Sequence, residues 1–142
     1  MSGGSCDALT ELPEEARAVV GAARRAVLAT LDRGGRPHLV PVCYALRGAE
    51  VVSAVDGKPK RTTQLARVAN IERDASATML VDRWDEDWSR LGWVMLRGRA
   101  EVRPPGSADH ELALRYPQYR DDPPRGPVIA LVPDLIRWWT WA

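Results

Sequence analysis

The sequence predicts a mainly β fold: a small antiparallel barrel of six or seven strands, with helices covering its gaps. Three observations lead there. Short apolar runs recur along the chain, glycine-containing turns join several of them as hairpins, and the helical connections that a parallel sheet needs between successive strands are missing. At 142 residues the chain has room for one domain with a true core, and not for two of ordinary size.

Leu12, Ala16, Val19, Val20 and Ala23 recur at helical spacing behind Pro13. Glu14 and Glu15 stand in the first turn, where the helix dipole favours negative charge, so an amphipathic helix precedes the first strand. Ala26 to Leu31 is that strand. Asp32-Arg33-Gly34-Gly35-Arg36 offers the positive-φ positions of a hairpin turn into a second strand, His38 to Leu46. Pro41 interrupts it. Proline gives no N–H to a ladder, so the strand is an edge there or is bulged, and a bulge leaves backbone groups free for a ligand. Arg47-Gly48-Ala49 turns the chain into a third strand, Glu50 to Val55.

Beyond a basic turn, Leu65, Val68 and Ile71 mark the buried face of a helix whose other face carries Arg67, Asn70 and Arg73. That helix is expected to lie across an open end of the barrel. Ala75 to Val81 is the fourth strand, Asp82 to Trp88 an acidic loop, and Gly92 to Val102 a long fifth strand. Ser107 is expected to cap a helix running through Tyr116, and Pro117 to stop it. The proline-rich segment from Asp121 to Pro127 is loop, and two closing strands follow, Val128 to Val132 and Ile136 to Trp141. Residues 1–10 begin small and polar and are expected to be disordered, leaving residues 11–142 as the single domain.

An apolar content of 45% and a charged content of 27% belong to a globular protein, and no apolar run approaches the roughly 20 residues that cross a bilayer. No membrane or nucleic-acid partner is expected: the formal net charge of +1 provides no general field for a polyanion. The chain start lacks the basic-then-apolar character of a secretory leader, so a cytoplasmic location is expected. Cys6 and Cys43 form neither a disulfide framework nor a metal-ligand spacing, and Cys43 reads as a small core residue.

Charge is instead concentrated locally. From Asp56 to Arg67 four cations face one carboxylate, and from Asp82 to Asp87 four carboxylates face Arg83. The stretch Asp56-Gly57-Lys58-Pro59-Lys60-Arg61-Thr62-Thr63 is the most informative in the chain. A lone basic triplet is usually a solvated loop. Here it follows a strand directly, is opened by Gly57 and stiffened by Pro59, and enters a helix through two threonines. Mobile ammonium groups, a guanidinium fork, hydroxyls and a helix start therefore converge on one place, which suits the phosphate of a cofactor.

The six tryptophans, in a chain with no phenylalanine, fall into two groups: Trp84, Trp88 and Trp93, then Trp138, Trp139 and Trp141. Adjacent Trp138 and Trp139 on a strand must point to opposite faces, so one needs cover from outside the barrel. A second subunit provides it, giving an expected homodimer, with stacking on a planar cofactor as the lesser alternative. Neither His38 nor His110 belongs to a nucleophile–base arrangement, so nothing indicates a hydrolase, and surface roles are expected for both. Asp82, Asp85 and Asp87 lack calcium-loop spacing and its closing glutamate, so no metal site is expected.

Taken together, Ala26-Val27-Leu28-Ala29-Thr30-Leu31, Gly35-Arg36-Pro37-His38-Leu39-Val40-Pro41-Val42, Asp56-Gly57-Lys58-Pro59-Lys60 and Asp82-Arg83-Trp84-Asp85-Glu86-Asp87-Trp88-Ser89 resemble the pyridoxamine 5′-phosphate oxidase-like split β-barrel superfamily, whose fold is FMN-binding-like. More narrowly, they resemble its actinobacterial branch of oxidoreductases dependent on the deazaflavin coenzyme F420. The likeness runs from about Ala26 to Trp141.

The resemblance implies a homodimer with cofactor sites at the subunit interface. It also implies that Lys58, Lys60, Arg61 and Thr62 contact the cofactor phosphates, and that Pro41, Val42, Ser53 and Ala54 line the ring. Trp88 and Trp93 fall where the second subunit contributes. The absence of a pyridoxal-phosphate substrate signature argues against a true pyridoxamine phosphate oxidase. The implied activity is hydride transfer from reduced F420 to a small conjugated or aromatic acceptor, with no side chain needed as a covalent catalyst. An FMN-dependent oxidoreductase and a non-catalytic flavin, deazaflavin or haem carrier are the alternatives on the same barrel.

Overall fold

The structure is a computed structural model that describes residues 1–55 and 61–141, with side chains for all of these except 61–65. Its strands are β1 (Ser2–Cys6), β2 (Ala26–Leu31), β3 (Pro37–Val42), β4 (Ala45–Arg47), β5 (Glu50–Ala54), β6 (Ser76–Arg83), β7 (Gly92–Arg103) and β8 (Val128–Thr140). The helices are α1 (Glu14–Ala22), α2 (Arg61–Arg73), α3 (Asp109–Arg115) and the short α4 (Gln118–Asp121). All neighbouring strands are antiparallel, in the order β3-β2-β6-β7-β8-β5-β4, with β1 also paired to β8. The sheet curls into a split β-barrel. Its two terminal strands, β3 and β4, share no ladder, and the chain passes between them through Cys43 and Tyr44. The opening therefore lies at that corner.

Alternation along the strands sends one set of side chains inward. Leu28, Met79, Leu96, Ile129, Leu131 and Ile136 are buried in the barrel, and Ala16, Val19 and Val20 of α1 join them from one end. Each fully buried aliphatic side chain of this kind stabilises the fold by roughly 1.5–3 kcal/mol. A second, smaller core lies outside the barrel, where Val52, Val128 and Ala130 meet Leu112 and Tyr116 near α3. Strand β5 is thus covered on both faces.

The departures from the sequence expectation have identifiable causes, and the choice left open at Pro41 is decided. The chain start is strand β1, not a disordered tail: Ser2–Cys6 pairs with Ile136–Thr140, and a Cβ on Gly4 would stand 2.8 Å from the Trp138 ring, so glycine permits the close approach. The expected strand from His38 to Leu46 breaks into β3 and β4, because Tyr44 turns its backbone N–H to the Tyr116 hydroxyl and away from any strand. Pro41 lies on a terminal strand in unbroken register with Val27, so its missing N–H is accommodated at an edge with no bulge.

The two closing strands are one. β8 runs through Pro133 because the register shifts there, with Leu135 opposite Arg97, Pro133 opposite Gly98 and Asp134 as the extra residue. Ser107 is not the cap of α3 either; its hydroxyl donates to the Pro104 carbonyl at 2.8 Å inside the preceding turn, and Ala108 holds the cap position. Asn70, expected on the outer face of α2, is buried and donates to Thr30 Oγ1 at 3.1 Å, while Arg73 donates to its amide oxygen. Among the described residues, no helix is long and apolar enough to cross a membrane.

Candidate functional site

Two adjoining concavities lie at the split corner. The smaller, about 190 Å³, is walled by Pro41, Val42 and Ala54 and carries Arg25, Arg67 and Tyr119 at its margin. The larger, about 580 Å³, is bounded by Arg24, Tyr116, Gln118, Tyr119 and Asp122. Cys43 and Tyr119 line both.

Local sequence explains how the walls arise. Val42 ends an edge strand and Ala54 ends a strand that pairs with β8 on its other side, so neither edge is closed by a further strand. Alternation along β5 places Val52 and Ala54 on the outer face, with the second core, and Val51 and Ser53 on the barrel face. Ser53 consequently points away from the pocket that Ala54 lines. It is 1% exposed, and its Oγ has no hydrogen-bond partner among the described residues.

Arg24 and Arg25 occupy the tight connection between α1 and β2, which a buried tyrosine pair holds in place. The Tyr44 hydroxyl donates to the Val20 carbonyl at 2.5 Å, at the end of α1 where carbonyls lack helical partners. Arg115 donates to the Ala23 carbonyl and lies over the Tyr44 ring at 4.6 Å. The Tyr116 hydroxyl accepts the Tyr44 N–H at 3.0 Å and faces the carbonyls of Arg24 and Tyr44 at 3.0 and 3.1 Å. Burial pushes the Tyr44 phenol up to about 12, with the Arg115 cation opposing that shift. Tyr44 is therefore a neutral structural donor at physiological pH.

Of the residues expected from sequence, Pro41, Val42 and Ala54 come together in one pocket. Lys58 and Lys60 lie outside the described residues; Arg61 and Thr62 open α2, immediately beyond them. Trp88 is 57% exposed on a short turn and meets Trp84 edge-on at 6.4 Å. Trp93 sits on β7 opposite Asp82 and Trp139. Neither tryptophan lines the two concavities of its own chain.

Sequence reasoning missed Arg25, Arg67, Tyr119 and the pocket role of Cys43, which is half-buried and outside any strand. The signals available were the Arg24-Arg25 pair at the junction of helix and strand, and the three-residue spacing of Tyr116 and Tyr119 around Pro117. In the acidic loop, Asp85 pairs with Arg90 at 3.1 Å, and Asp87 accepts from Ser89, whose bonds hold its carboxyl below the usual range.

The sequence profile of the family described as pyridoxamine 5′-phosphate oxidase matches residues 12–141. The chain belongs to this family. Like its relatives, this pyridoxamine 5′-phosphate oxidase family member has the split barrel that binds flavin-type cofactors. Among solved structures, it is similar to the conserved hypothetical protein Rv2991 from Mycobacterium tuberculosis, at 23% identity over 96% of this chain and 88% of that one, with a TM-score of 0.72. A heme binding protein from Mycobacterium smegmatis matches at 25% identity over 89% of this chain and 52% of its own length, with a TM-score of 0.69. An F420 reductase matches at 21% identity over 88% and 98% of the two chains, with a TM-score of 0.66.

The pocket chemistry fits such a cofactor. Pro41, Val42 and Ala54 present apolar surface to the face of a planar ring, and Arg25 and Arg67 bring guanidinium groups suited to phosphate or to an electron-rich ring edge.

Proposed function

We infer that this family member is an F420-dependent oxidoreductase that reduces a small conjugated or aromatic acceptor. The observation that carries the reading is the gathering of Pro41, Val42 and Ala54 with Arg25 and Arg67 in one pocket, at the end of the strand that leads into the basic turn. Pro41, Val42 and Ala54 hold the ring, and Lys58, Lys60, Arg61 and Thr62 hold the phosphates, aided by the start of α2. When bound in its reduced form, the cofactor supplies a hydride to an electron-poor carbon of the acceptor, a proton from solvent or a side chain completes the reduction, and the cofactor is left oxidised by two electrons. The protein's part is to orient both molecules, neutralise the phosphates and keep water from the ring.

The similarity to an F420 reductase supports the deazaflavin choice. An FMN-dependent oxidoreductase of the same barrel is the second reading, supported by a FAD-binding protein from Mesorhizobium loti at 18% identity over 97% of both chains, with a TM-score of 0.66. Parallel titration of the purified protein with F420 and FMN separates them: tighter FMN binding would replace the first reading by the second. Lys58→Ala with Lys60→Ala should weaken F420 binding at least about tenfold, since charge-assisted contacts to phosphate contribute roughly 1.5–3 kcal/mol each. Unchanged quenching of F420 fluorescence in that double variant would remove the turn from the site.

The functional unit is a homodimer. Its support is the outer face of the sheet, where Leu39 is 61% and Leu80 41% exposed, with Trp93 and Trp139 paired across β7 and β8 on the face turned from the core. Trp88 and Trp93 then reach the cofactor site of the other subunit. Sedimentation showing a monomer at micromolar concentration would refute this assembly.

A further inference from the structure

The larger concavity is not used by the cofactor reading, yet it opens beside the pocket of that reading through the shared walls of Cys43 and Tyr119. We propose that this chamber binds a planar aromatic molecule bearing an anionic group, with Arg24 as the residue that recognises the charge. On the reading above, that molecule is the acceptor.

Three features carry the assignment. The first is size: about 580 Å³ lies within the range of small-molecule sites and suits two or three fused rings.

The second is a positioned cation. The Arg24 guanidinium lies over the Tyr116 ring at 4.8 Å and donates through Nη2 to the Arg115 carbonyl at 2.5 Å. Among the described residues it has no carboxylate partner, and a guanidinium has five N–H donors, so donors remain for a ligand. Arg24 is exposed, yet it is held by a ring on one side and a carbonyl on the other. Its binding geometry is therefore set before a ligand arrives, which reduces the entropy lost on binding.

The third feature is the wall. Tyr119 meets Tyr116 edge-on at 5.8 Å, and with Cys43 and Pro117 it forms a polarisable, apolar side for an aromatic face. One carboxylate, Asp122, also borders the chamber. Its partner is Arg125 at 3.5 Å, both side chains are well exposed, and its repulsion of an anion is correspondingly offset and screened.

The test uses 2-naphthoate and its neutral counterpart 2-naphthamide as probes, titrated calorimetrically into the full-length protein without added cofactor. Naphthoate is expected to bind at least about fivefold more tightly than naphthamide, Arg24→Gln to abolish that preference, and Arg24→Lys to retain part of it. In the unmutated protein, naphthoate is expected to slow alkylation of Cys43 by iodoacetamide severalfold and leave Cys6 unaffected, as read by peptide mapping. Equal affinity for the two probes, a preference that survives Arg24→Gln, or an unprotected Cys43 would each overturn the proposal. The cofactor reading fails separately: naphthoate binding as described, with neither F420 nor FMN bound, would remove the cofactor and leave the anion chamber standing.

Discussion

Removing a single oxygen atom tests how the corner of the barrel is held. In Tyr116→Phe the ring remains and packing is unchanged, but the Tyr44 N–H loses its acceptor in a place where residue 44 is 0% exposed and belongs to no strand. The carbonyls of Arg24 and Tyr44 also lose the one proton they share. A buried donor left unpaired costs about 1–3 kcal/mol. Unfolding entropy near the midpoint is about 0.3 kcal/mol/K for a chain of 142 residues, so the loss corresponds to a fall in Tm of about 3–10 °C. Thermal unfolding followed by circular dichroism reads this directly. Leu114→Ala, in α3 just before Tyr116 and at a side chain 67% exposed, serves as the control and should change stability by less than about 0.5 kcal/mol. A Tm within 1 °C of the parent for Tyr116→Phe (about 0.3 kcal/mol by the same conversion) would mean that the Tyr44 amide finds another partner, and the tyrosine pair would lose its role as the brace behind Arg24 and Arg25.

Three further outcomes are expected. Tyr44 has its folded value raised from about 10 to about 12, so its contribution is complete below pH about 10 and is lost as pH rises towards 12; the parent should lose roughly 2–3 kcal/mol more than Tyr44→Phe over that window in urea titrations. Glu50 accepts from Arg103 at 2.7 Å and from Arg47 at 3.0 Å, which hold its carboxyl below the usual range, with the Arg103 bond the larger cause. Its contribution is present above the ordinary glutamate range and lost as pH falls through the lowered value. Glu50→Gln should therefore cost about 1–3 kcal/mol at pH 7 and flatten the acid limb, and an acid limb identical to the parent's would refute the assignment. At Gly98 an added Cβ would lie 2.0 Å from the Val132 carbonyl oxygen and 2.7 Å from Pro133 Cα, both backbone, so Gly98→Ala should lower stability by at least about 2 kcal/mol; a shift in urea midpoint equivalent to less than about 0.5 kcal/mol would show that the bulge yields easily.

Strands β2, β5, β6 and β7 were legible as short apolar runs bounded by glycine or charged turns; burial alternates along β2, β6 and most of β7, whereas β5 is buried on both faces. The resemblance pointed to Pro41, Val42 and Ala54 together, and the structure puts them in the wall of one pocket. The resemblance grouped Ser53 with them, but a strand sends neighbours to opposite faces, and Ser53 does not line the pocket that Ala54 lines. Arg25, Cys43, Arg67 and Tyr119 come from four separate segments. No spacing in the chain relates them, because closing a barrel brings together residues that are distant in sequence.

Composition and pattern were enough to establish a mainly β fold, its hairpins and its first helix, since each of these depends on interactions within a few residues. Long-range pairing settled the rest. Five small residues at the start of the chain become β1 because the far end of β8 offers unpaired backbone groups and Gly4 fits against Trp138. β8 passes through a proline because Gly98, on another strand, leaves room for the bulge. The paired concavities at the split exist because β3 and β4 end without joining, and a gap between two strand ends is a property of the closed sheet that no local stretch of residues contains.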